Sequence, residues 1–311
     1  MKLITTLIPA YNESANIHAL LTELRQLADT QTKYQWEFLL VNDGSKDNTL
    51  ELLRQERAAD PRVCVLNLSR NFGKENALLA GMDYAKGDAV VIMDADLQHP
   101  PSLIPEMIEW WEKGYEDVYA RRRHRGKEPW LRRRLTLAYY SMLQSATRID
   151  VLQNVGDFRL LDRRVVNAIR SLREVQRYTK GLYCWVGYNK KEILCDERDR
   201  AGGKSSFNFL SLVNLAIDGI AGFTTAPLRI ASVIGFLVSF AALVFMIVVL
   251  VKTLVWNDPV QGWPSLMCSI LFLSGLQLMA LGIIGEYIGR IFNEAKHRPP
   301  YIAESYNEEK L

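Results

Sequence analysis

The stretch Ala89-Val-Val-Ile-Met-Asp94-Ala-Asp96-Leu-Gln98 decides the fold of this chain. Five apolar residues are followed at once by two carboxylates that a single small residue separates. A short apolar run of this kind is typical of a strand buried on both faces, as in parallel sheets. The carboxylates then stand at the carboxyl end of the strand, where the ligands of α/β proteins bind.

Comparable apolar runs precede this stretch and alternate with amphipathic segments. The predicted strands are Leu3–Ile8, Phe38–Val41, Val63–Leu68 and Ala89–Met93, and the predicted helices between them are Ala15–Ala28, Thr49–Ala59 and Glu75–Ala85. Beyond them we expect helices over Pro100–Lys113 and Leu135–Ser145 and strands at Val118–Ala120, Phe158–Leu161 and Lys191–Leu194. This alternation predicts an α/β fold with a mainly parallel sheet covered by helices.

Polar side chains follow three of the predicted strands. Asn12-Glu13 follows the first, Asp43 the second, and Asp94 and Asp96 the fourth. Two carboxylates at a strand end can share a divalent cation with a diphosphate, and Gln98 adds a further oxygen that suits Mg²⁺ or Mn²⁺. Solvated acids at a strand end explain an isolated Asp-x-Asp triplet equally well, so the assignment depends on the surrounding motifs.

Two uncharged stretches, Ile230–Val251 and Pro264–Gly285, dominate the last third of the chain. Each is about 22 residues long, or roughly 33 Å as a helix, which matches the hydrocarbon core of a bilayer. They predict a transmembrane hairpin with helices at about 230–255 and 264–288. The alternative, a buried helical hairpin of a soluble protein, is disfavoured because soluble helices rarely stay uncharged on every face.

Basic residues flank this hairpin on its outer sides. Arg229 precedes it and Arg290, Lys296 and Arg298 follow the second stretch, whereas the connection between the helices has no Lys or Arg. The positive-inside rule therefore predicts that both chain termini are cytoplasmic.

The segment ahead of the hairpin is amphipathic. Phe209, Leu210, Val213, Ile217 and Ile220 share one helical face. This pattern predicts a helix in the membrane interface, with a core-facing soluble helix as the alternative. The predicted organisation is a cytoplasmic α/β domain at 1–206, an interfacial helix at 207–226, and the hairpin with a cytoplasmic C-terminal tail at 227–311.

The formal net charge of +3 hides a cluster of Arg and Lys over residues 121–134. In a chain with a membrane hairpin, such a cluster favours an anionic lipid surface or a lipid phosphate over nucleic acid. The four cysteines and four histidines lack the spacings of a disulfide framework or a zinc site.

Five motifs carry a resemblance to a known family. They read Ile8-Pro-Ala-Tyr-Asn-Glu13, Val41-Asn-Asp-Gly-Ser-Lys-Asp-Asn-Thr49, Arg70-Asn-Phe-Gly-Lys74, Met93-Asp-Ala-Asp-Leu-Gln-His-Pro-Pro101 and Gly156-Asp-Phe-Arg159. In order and spacing they resemble the family 2 glycosyltransferases of the GT-A fold, whose sheet is Rossmann-like. Within that family the chain is most similar to bacterial bactoprenol (undecaprenyl phosphate) glucosyltransferases, relatives of dolichol-phosphate mannosyltransferase.

The resemblance implies roles for the matching residues. The expected nucleotide-sugar site comprises Pro9, Tyr11, Glu13, Asp43 and Asp94. Asp94, Asp96 and Gln98 would hold the metal, and Asp94, Asp96 and Asp157 would serve catalysis, with Asp157 as a base or as an acid that orients an arginine. The expected acceptor-phosphate site comprises Arg122, Arg133, Arg200 and Lys204. Ser206 stands where relatives often carry a lysine, and Asp43-Gly44-Ser45 can also form an Asx turn.

The implied activity is inverting transfer of glucose from UDP-glucose to undecaprenyl phosphate, for O-antigen or other cell-envelope glycans. Mannose, N-acetylhexosamine and aminoarabinose donors stay open as alternatives, as does a non-catalytic membrane partner that binds nucleotide sugar. A processive polysaccharide synthase is disfavoured because no tryptophan here follows an arginine, as its Gln-x-x-Arg-Trp motif requires. Small residues of the hairpin allow a homo-oligomer, including a tetramer: Gly275, Gly282, Gly285 and Gly289.

Overall fold

The computed structural model describes residues 1–123, 155–175, 177–195, 225–256 and 262–311. The chain forms two compact units. The first comprises Met1–Ala216 together with Arg298–Leu311, and the second comprises Ile217–His297.

The first unit is built on one sheet with helices on both faces. Its strands are β1 (Leu3–Ala10), β2 (Gln35–Asn42), β3 (Val63–Leu68), β4 (Ala89–Ile92), β5 (Asp117–Arg122), β6 (Val155–Asp162), β7 (Lys190–Cys195), β8 (Ala303–Tyr306) and β9 (Glu309–Lys310). Its described helices are α1 (Ile17–Thr30), α2 (Thr49–Ala59), α3 (Lys74–Tyr84), α4 (Ile104–Glu112), α5 (Arg163–Ser171) and α6 (Thr179–Trp185), and the 3₁₀ turn Pro101–Leu103 leads into α4.

The strand order is β7-β5-β6-β4-β1-β2-β3-β8-β9. Strand β1 pairs in parallel with β2 and β4, as β2 does with β3 and β5 with β7. Strand β6 runs antiparallel to both β4 and β5, and β8 runs antiparallel to β3 and β9. The predicted α/β class with a mainly parallel sheet is confirmed, and every strand and helix expected within the described residues is present.

The central strands read as continuous apolar runs because helices cover both faces of the sheet. In β2, Phe38 and Leu40 belong to the core on one face, whereas Leu39 and Val41 belong to the core on the other. All four side chains are fully buried. Each such side chain contributes about 1.5–3 kcal/mol through removal of apolar surface from water.

The second unit contains two long helices, α7 (Ala226–Trp256) and α8 (Trp263–Ala295). Their segments Ile230–Val249 and Cys268–Ala295 are long and apolar enough to cross a membrane and are not buried within the protein. They coincide with the predicted hairpin. The predicted helices Leu135–Ser145 and Phe207–Ile220 lie outside the described residues.

The end of the chain corrects the predicted boundary at 227–311, because residues after the hairpin return to the first unit. Strand β8 pairs with β3, and the ring of Tyr306 lies 5.0 Å from that of Tyr84. The hydroxyl of Tyr301 donates to Asp83 Oδ2 at 2.7 Å. The sequence Ala303-Glu-Ser-Tyr306 is short and lacks apolar alternation, so its pattern did not indicate a strand.

Replacement of Asn307 should loosen this last pairing. Asn307 Oδ1 accepts the Val65 N–H at 2.9 Å, and its own N–H donates to Val65 O at 2.8 Å. We expect Asn307→Gly to destabilise the fold by about 1 kcal/mol through the lost acceptor. Asn307→Ala should lower the free energy of unfolding by roughly 1 kcal/mol more than Asn307→Gly. The backbone there has φ 52°, a left-handed conformation that alanine tolerates less well than glycine.

Hydrogen exchange is the direct measurement for both variants. The Val65 amide should exchange faster than in the wild type, whereas the amide of Leu40 in the buried strand β2 serves as the internal control. Unchanged protection at Val65 would show that the side chain of Asn307 does not hold this edge of the sheet.

Candidate functional site

The strand register gathers the polar motifs at one edge of the sheet. Ala10 at the end of β1 pairs with Asn42 at the end of β2, and Leu7 pairs with Ile92 at the end of β4. Since Ile92 also pairs with Arg159, the antiparallel strand β6 begins where β4 ends. The residues that follow β1, β2 and β4 therefore lie beside those at the start of β6.

A cleft of about 360 Å³ opens at this edge. Its lining includes six of the predicted site residues: Pro9, Tyr11, Glu13, Asp43, Asp94 and Asp96. Six further lining residues had no predicted role, namely Ala10, Asn71, Gly73, Lys74, Ala77 and Ala95. The Arg70–Lys74 motif was part of the resemblance, and this motif is the signal that could have identified three of them.

The loop after β1 is fastened to the loop after β2. The Asn12 N–H donates to Ser45 Oγ at 3.0 Å, and Asn12 Oδ1 accepts the Lys46 N–H at 2.8 Å. The Glu13 N–H donates to Thr49 Oγ1 at 2.9 Å. Asn12 has φ 56°, a left-handed conformation that asparagine tolerates better than most residues. These contacts fix one wall of the cleft.

The carboxylate of Asp43 holds a second loop. Its Oδ1 accepts the Phe72 N–H at 2.7 Å and its Oδ2 accepts the Gly73 N–H at 3.0 Å. Burial raises the pKa of Asp43, and these two hydrogen bonds oppose that shift. The alternative considered for Asp43, an Asx turn over Asp43-Gly44-Ser45, is not what the structure shows, because the Ser45 N–H donates to Asn42 Oδ1 at 3.3 Å.

Gly44 permits the close approach of these two loops. It has φ 63°, and a Cβ at this position would overlap the backbone of Arg70 and Asn71. Any larger residue would therefore push the Arg70–Lys74 loop away from the carboxylate of Asp43.

The ammonium group of Lys74 bridges two predicted catalytic carboxylates. Its Nζ lies 2.5 Å from Asp94 Oδ1 and 2.7 Å from Asp157 Oδ2. Burial would raise the pKa of Asp157, but Lys74, with Lys180 further away, lowers that pKa to about 2. Burial would lower the pKa of Lys74, but Asp94 and Asp157 raise it above its ordinary value. Asp157 is therefore an anion at neutral pH.

The backbone turns sharply between Asp96 and Gln98. Leu97 has φ 57°, an uncommon conformation for leucine, and the Gln98 N–H donates to Asp96 Oδ1 at 3.2 Å. Gln98 does not line the cleft, so its predicted place as a metal ligand stays a prediction. Within the described residues, no three His, Cys, Asp or Glu side chains form a ready-made metal site. A cation held by Asp94 and Asp96 therefore needs ligand oxygens from elsewhere.

A fully buried ion pair supports β6 behind the cleft. Arg159 Nη1 lies 3.1 Å from Asp117 Oδ2 on β5, and both side chains are inaccessible to water. The guanidinium of Arg159 also stacks on Tyr183 of α6, with 3.6 Å from its carbon to the ring centroid. Two positions from Asp157, Arg159 thus ties β6 to β5 and α6.

Of the predicted acceptor-phosphate residues, Arg133, Arg200 and Lys204 lie outside the described residues. Arg122 is the last residue of β5, and the structure describes its backbone. The acceptor site stays a prediction.

Comparison with known proteins identifies the family. The profile of Glycosyl transferase family 2 matches residues 5–170, which include every motif described above. The chain belongs to glycosyl transferase family 2. The family 2 glycosyltransferase described here is therefore an enzyme with a GT-A fold, as the resemblance implied.

Several relatives match this family 2 glycosyltransferase over nearly its whole length. Bactoprenol glucosyl transferase of Shigella phage SfV is 40% identical, over 97% of this chain and 98% of its own. Uncharacterized glycosyltransferase sll0501 of Synechocystis is 44% identical, over 96% and 94%. The chain is also similar to a solved structure of glucosyl-3-phosphoglycerate synthase from Mycobacterium tuberculosis in complex with Mn²⁺, uridine diphosphate and phosphoglyceric acid. The TM-score is 0.47 and the sequence identity is 19%, and the match covers 71% of this chain and 76% of that one.

Loss of the buried ion pair should be costly for this glycosyltransferase. Asp117→Asn leaves the charge of Arg159 buried without its partner, and we expect a loss of about 3–5 kcal/mol in the free energy of unfolding. Glu192→Gln is the matched control, because it removes the partly exposed pair with Arg121 at 3.2 Å. Its cost should stay under about 1 kcal/mol. Equal shifts in the midpoint of denaturant unfolding would contradict this difference.

Proposed function

We propose that this enzyme transfers a sugar from a nucleotide diphosphate to a polyprenyl phosphate with inversion at the anomeric carbon. The observation that carries the proposal is the convergence of Asp94, Asp96 and Asp157 beside one cleft at the carboxyl edge of the sheet. The names of relatives such as bactoprenol glucosyl transferase support glucose as the sugar and bactoprenol phosphate as the acceptor. UDP-glucose is the donor we propose.

The lining of the cleft supports the proposed donor site. Pro9, Tyr11, Glu13 and Asp43 form the wall proposed for the nucleoside, and Asp94 and Asp96 face the proposed diphosphate. Two carboxylates without a third acidic ligand suit Mg²⁺ or Mn²⁺ when diphosphate oxygens complete the coordination. When bound, such a cation stabilises the negative charge of the departing nucleoside diphosphate.

Asp157 is the residue that we propose to serve the acceptor. Its carboxylate is ionised, largely buried, and held at a fixed point by Lys74. A phosphate monoester has a second pKa near 6 and is largely ionised at neutral pH. The acceptor oxygen therefore needs orientation more than deprotonation. Asp157 orients either the acceptor itself or a basic residue that binds it.

The polyprenyl acceptor places the reaction at a membrane. Helices α7 and α8 supply two candidate spans, Ile230–Val249 and Cys268–Ala295. Residues before and after these helices belong to one folded unit, which supports an even number of crossings. The basic residues outside the hairpin support a cytoplasmic position for that unit, at the bacterial inner membrane.

The anomeric configuration of the product tests the reaction type. We expect a β-linked glucosyl monophosphate lipid from UDP-α-glucose, because a single displacement inverts the reacting carbon. Coupling constants from NMR of the purified glycolipid distinguish the two anomers. An α-linked product would contradict a single displacement.

Removal of one cleft carboxylate tests the metal assignment. Asp96→Asn should lower the rate of transfer by at least about 100-fold while the protein stays folded. The variant lacks one ligand of the cation that stabilises the departing diphosphate. Asp29→Asn is the control, since among the described residues Asp29 forms an exposed pair with Arg62 at 3.1 Å. Near-normal turnover of Asp96→Asn at saturating Mg²⁺ or Mn²⁺ would overturn the assignment.

A further inference from the structure

Lys74 occupies the gap between carboxylates that belong to different strands. It is the first residue of α3, whereas Asp94 follows β4 and Asp157 lies in β6. Its Nζ lies 2.5 Å from an oxygen of Asp94 and 2.7 Å from an oxygen of Asp157. One ammonium group therefore joins three elements where the cleft and β6 meet.

The two ion pairs of Lys74 differ in their access to water. The side chain of Asp157 is 9% exposed and that of Asp94 is 30% exposed. Loss of Lys74 from Asp157 would leave a buried carboxylate without its cation, since Asp157 Oδ1 has no hydrogen-bond partner among the described residues. The pair with Asp94 is more open to solvent, so water or a bound cation can replace the ammonium group there more readily than at Asp157.

The position of Lys74 conflicts with a metal ion on Asp94. An ammonium group and a divalent cation on the two oxygens of one carboxylate would repel each other. The carboxylates of Asp94, Asp96 and Asp157 carry three negative charges, of which Lys74 balances one. A divalent cation balances the other two only if Lys74 stays in the site, on the side of Asp157.

We propose that Lys74 is the resident counter-ion of the metal-free cleft, which releases Asp94 when a divalent cation binds and remains paired with Asp157. This inference rests on the proposed function, because it takes Asp94 as a metal ligand. Lys74 is thus a positioning residue that acts through the two carboxylates. Before metal binding it holds them together, and afterwards it fixes Asp157 alone.

This exchange has a consequence for metal affinity. Binding of the cation to the wild type requires that one ion pair breaks, so the neutral variant Lys74→Met should bind Mn²⁺ more tightly. We expect a dissociation constant about fivefold lower than in the wild type. The same variant should be less stable in EDTA, because Asp94 and Asp157 have then lost their shared cation.

The experiment uses the full-length protein in detergent micelles, with Mn²⁺ alone as the probe. Electron paramagnetic resonance measures free Mn²⁺, and thermal unfolding is followed in EDTA and in saturating Mn²⁺. Lys74→Met should have a lower unfolding midpoint than the wild type in EDTA, and Mn²⁺ should recover part of the difference. Lys74→Arg keeps the charge and should behave like the wild type in both measurements.

Lys33→Met provides the matched control. Lys33 pairs with Glu112 at 2.8 Å on the surface, so its loss should change the midpoint equally with and without Mn²⁺ and leave the affinity for Mn²⁺ unchanged. If Lys74→Met does not fold, Lys74→Gln, which is also neutral and can hydrogen-bond to both carboxylates, undergoes the same two measurements with the same expectation.

Three results would overturn the exchange. The first is unchanged or weaker Mn²⁺ binding in the neutral Lys74 variants. The second is an equal loss of stability of these variants in EDTA and in Mn²⁺. The third is a loss of their affinity for UDP in EDTA, which would show that the ammonium group of Lys74 binds the diphosphate. A transfer assay on the wild type with UDP-glucose and undecaprenyl phosphate tests the proposed function separately. If the wild type fails to transfer glucose but Lys74→Met binds Mn²⁺ more tightly, the proposed donor or acceptor is wrong and the exchange is still supported.

Discussion

The antiparallel pairing of β6 with β4 is the constraint on which the site depends. Parallel strands alone bring the ends of β1, β2 and β4 to one edge, but a further parallel strand would place its first residues at the opposite edge. Because β6 is reversed, Asp157 at its start comes next to Asp94 at the end of β4. The buried pair of Arg159 with Asp117 then fixes β6 against β5.

The charge distribution of the cleft follows from this arrangement. The reversed strand delivers a third carboxylate to an edge that already has two, and the partly exposed Lys74 offsets only part of the charge. Asp43 contributes differently, since backbone N–H groups occupy both of its oxygens. Hydrogen bonds therefore hold the loops on one side of the cleft, whereas ion pairs join the elements on the other side.

The sequence predicted the sheet well because its central strands are buried on both faces, so strands such as β2 stand out as apolar runs. It also predicted six lining residues of the cleft, since carboxyl ends of parallel strands must meet. It did not predict the bridge by Lys74, because Asp94 and Asp157 are distant in sequence and only the pairing of β4 with β6 brings them together. Strand β8 was missed because it has few apolar residues and gains its stability from β3 and from Tyr84.

The strand β8 also sets an order of assembly during synthesis. The ribosome makes β3 more than two hundred residues before β8, and both apolar helices lie between them. Until β8 leaves the ribosome, β3 is an edge strand with unpaired backbone groups, which is the kind of edge that other chains can join. The sheet is completed only after the hairpin has been made, so a polypeptide that stops within the hairpin lacks the strand that closes this edge.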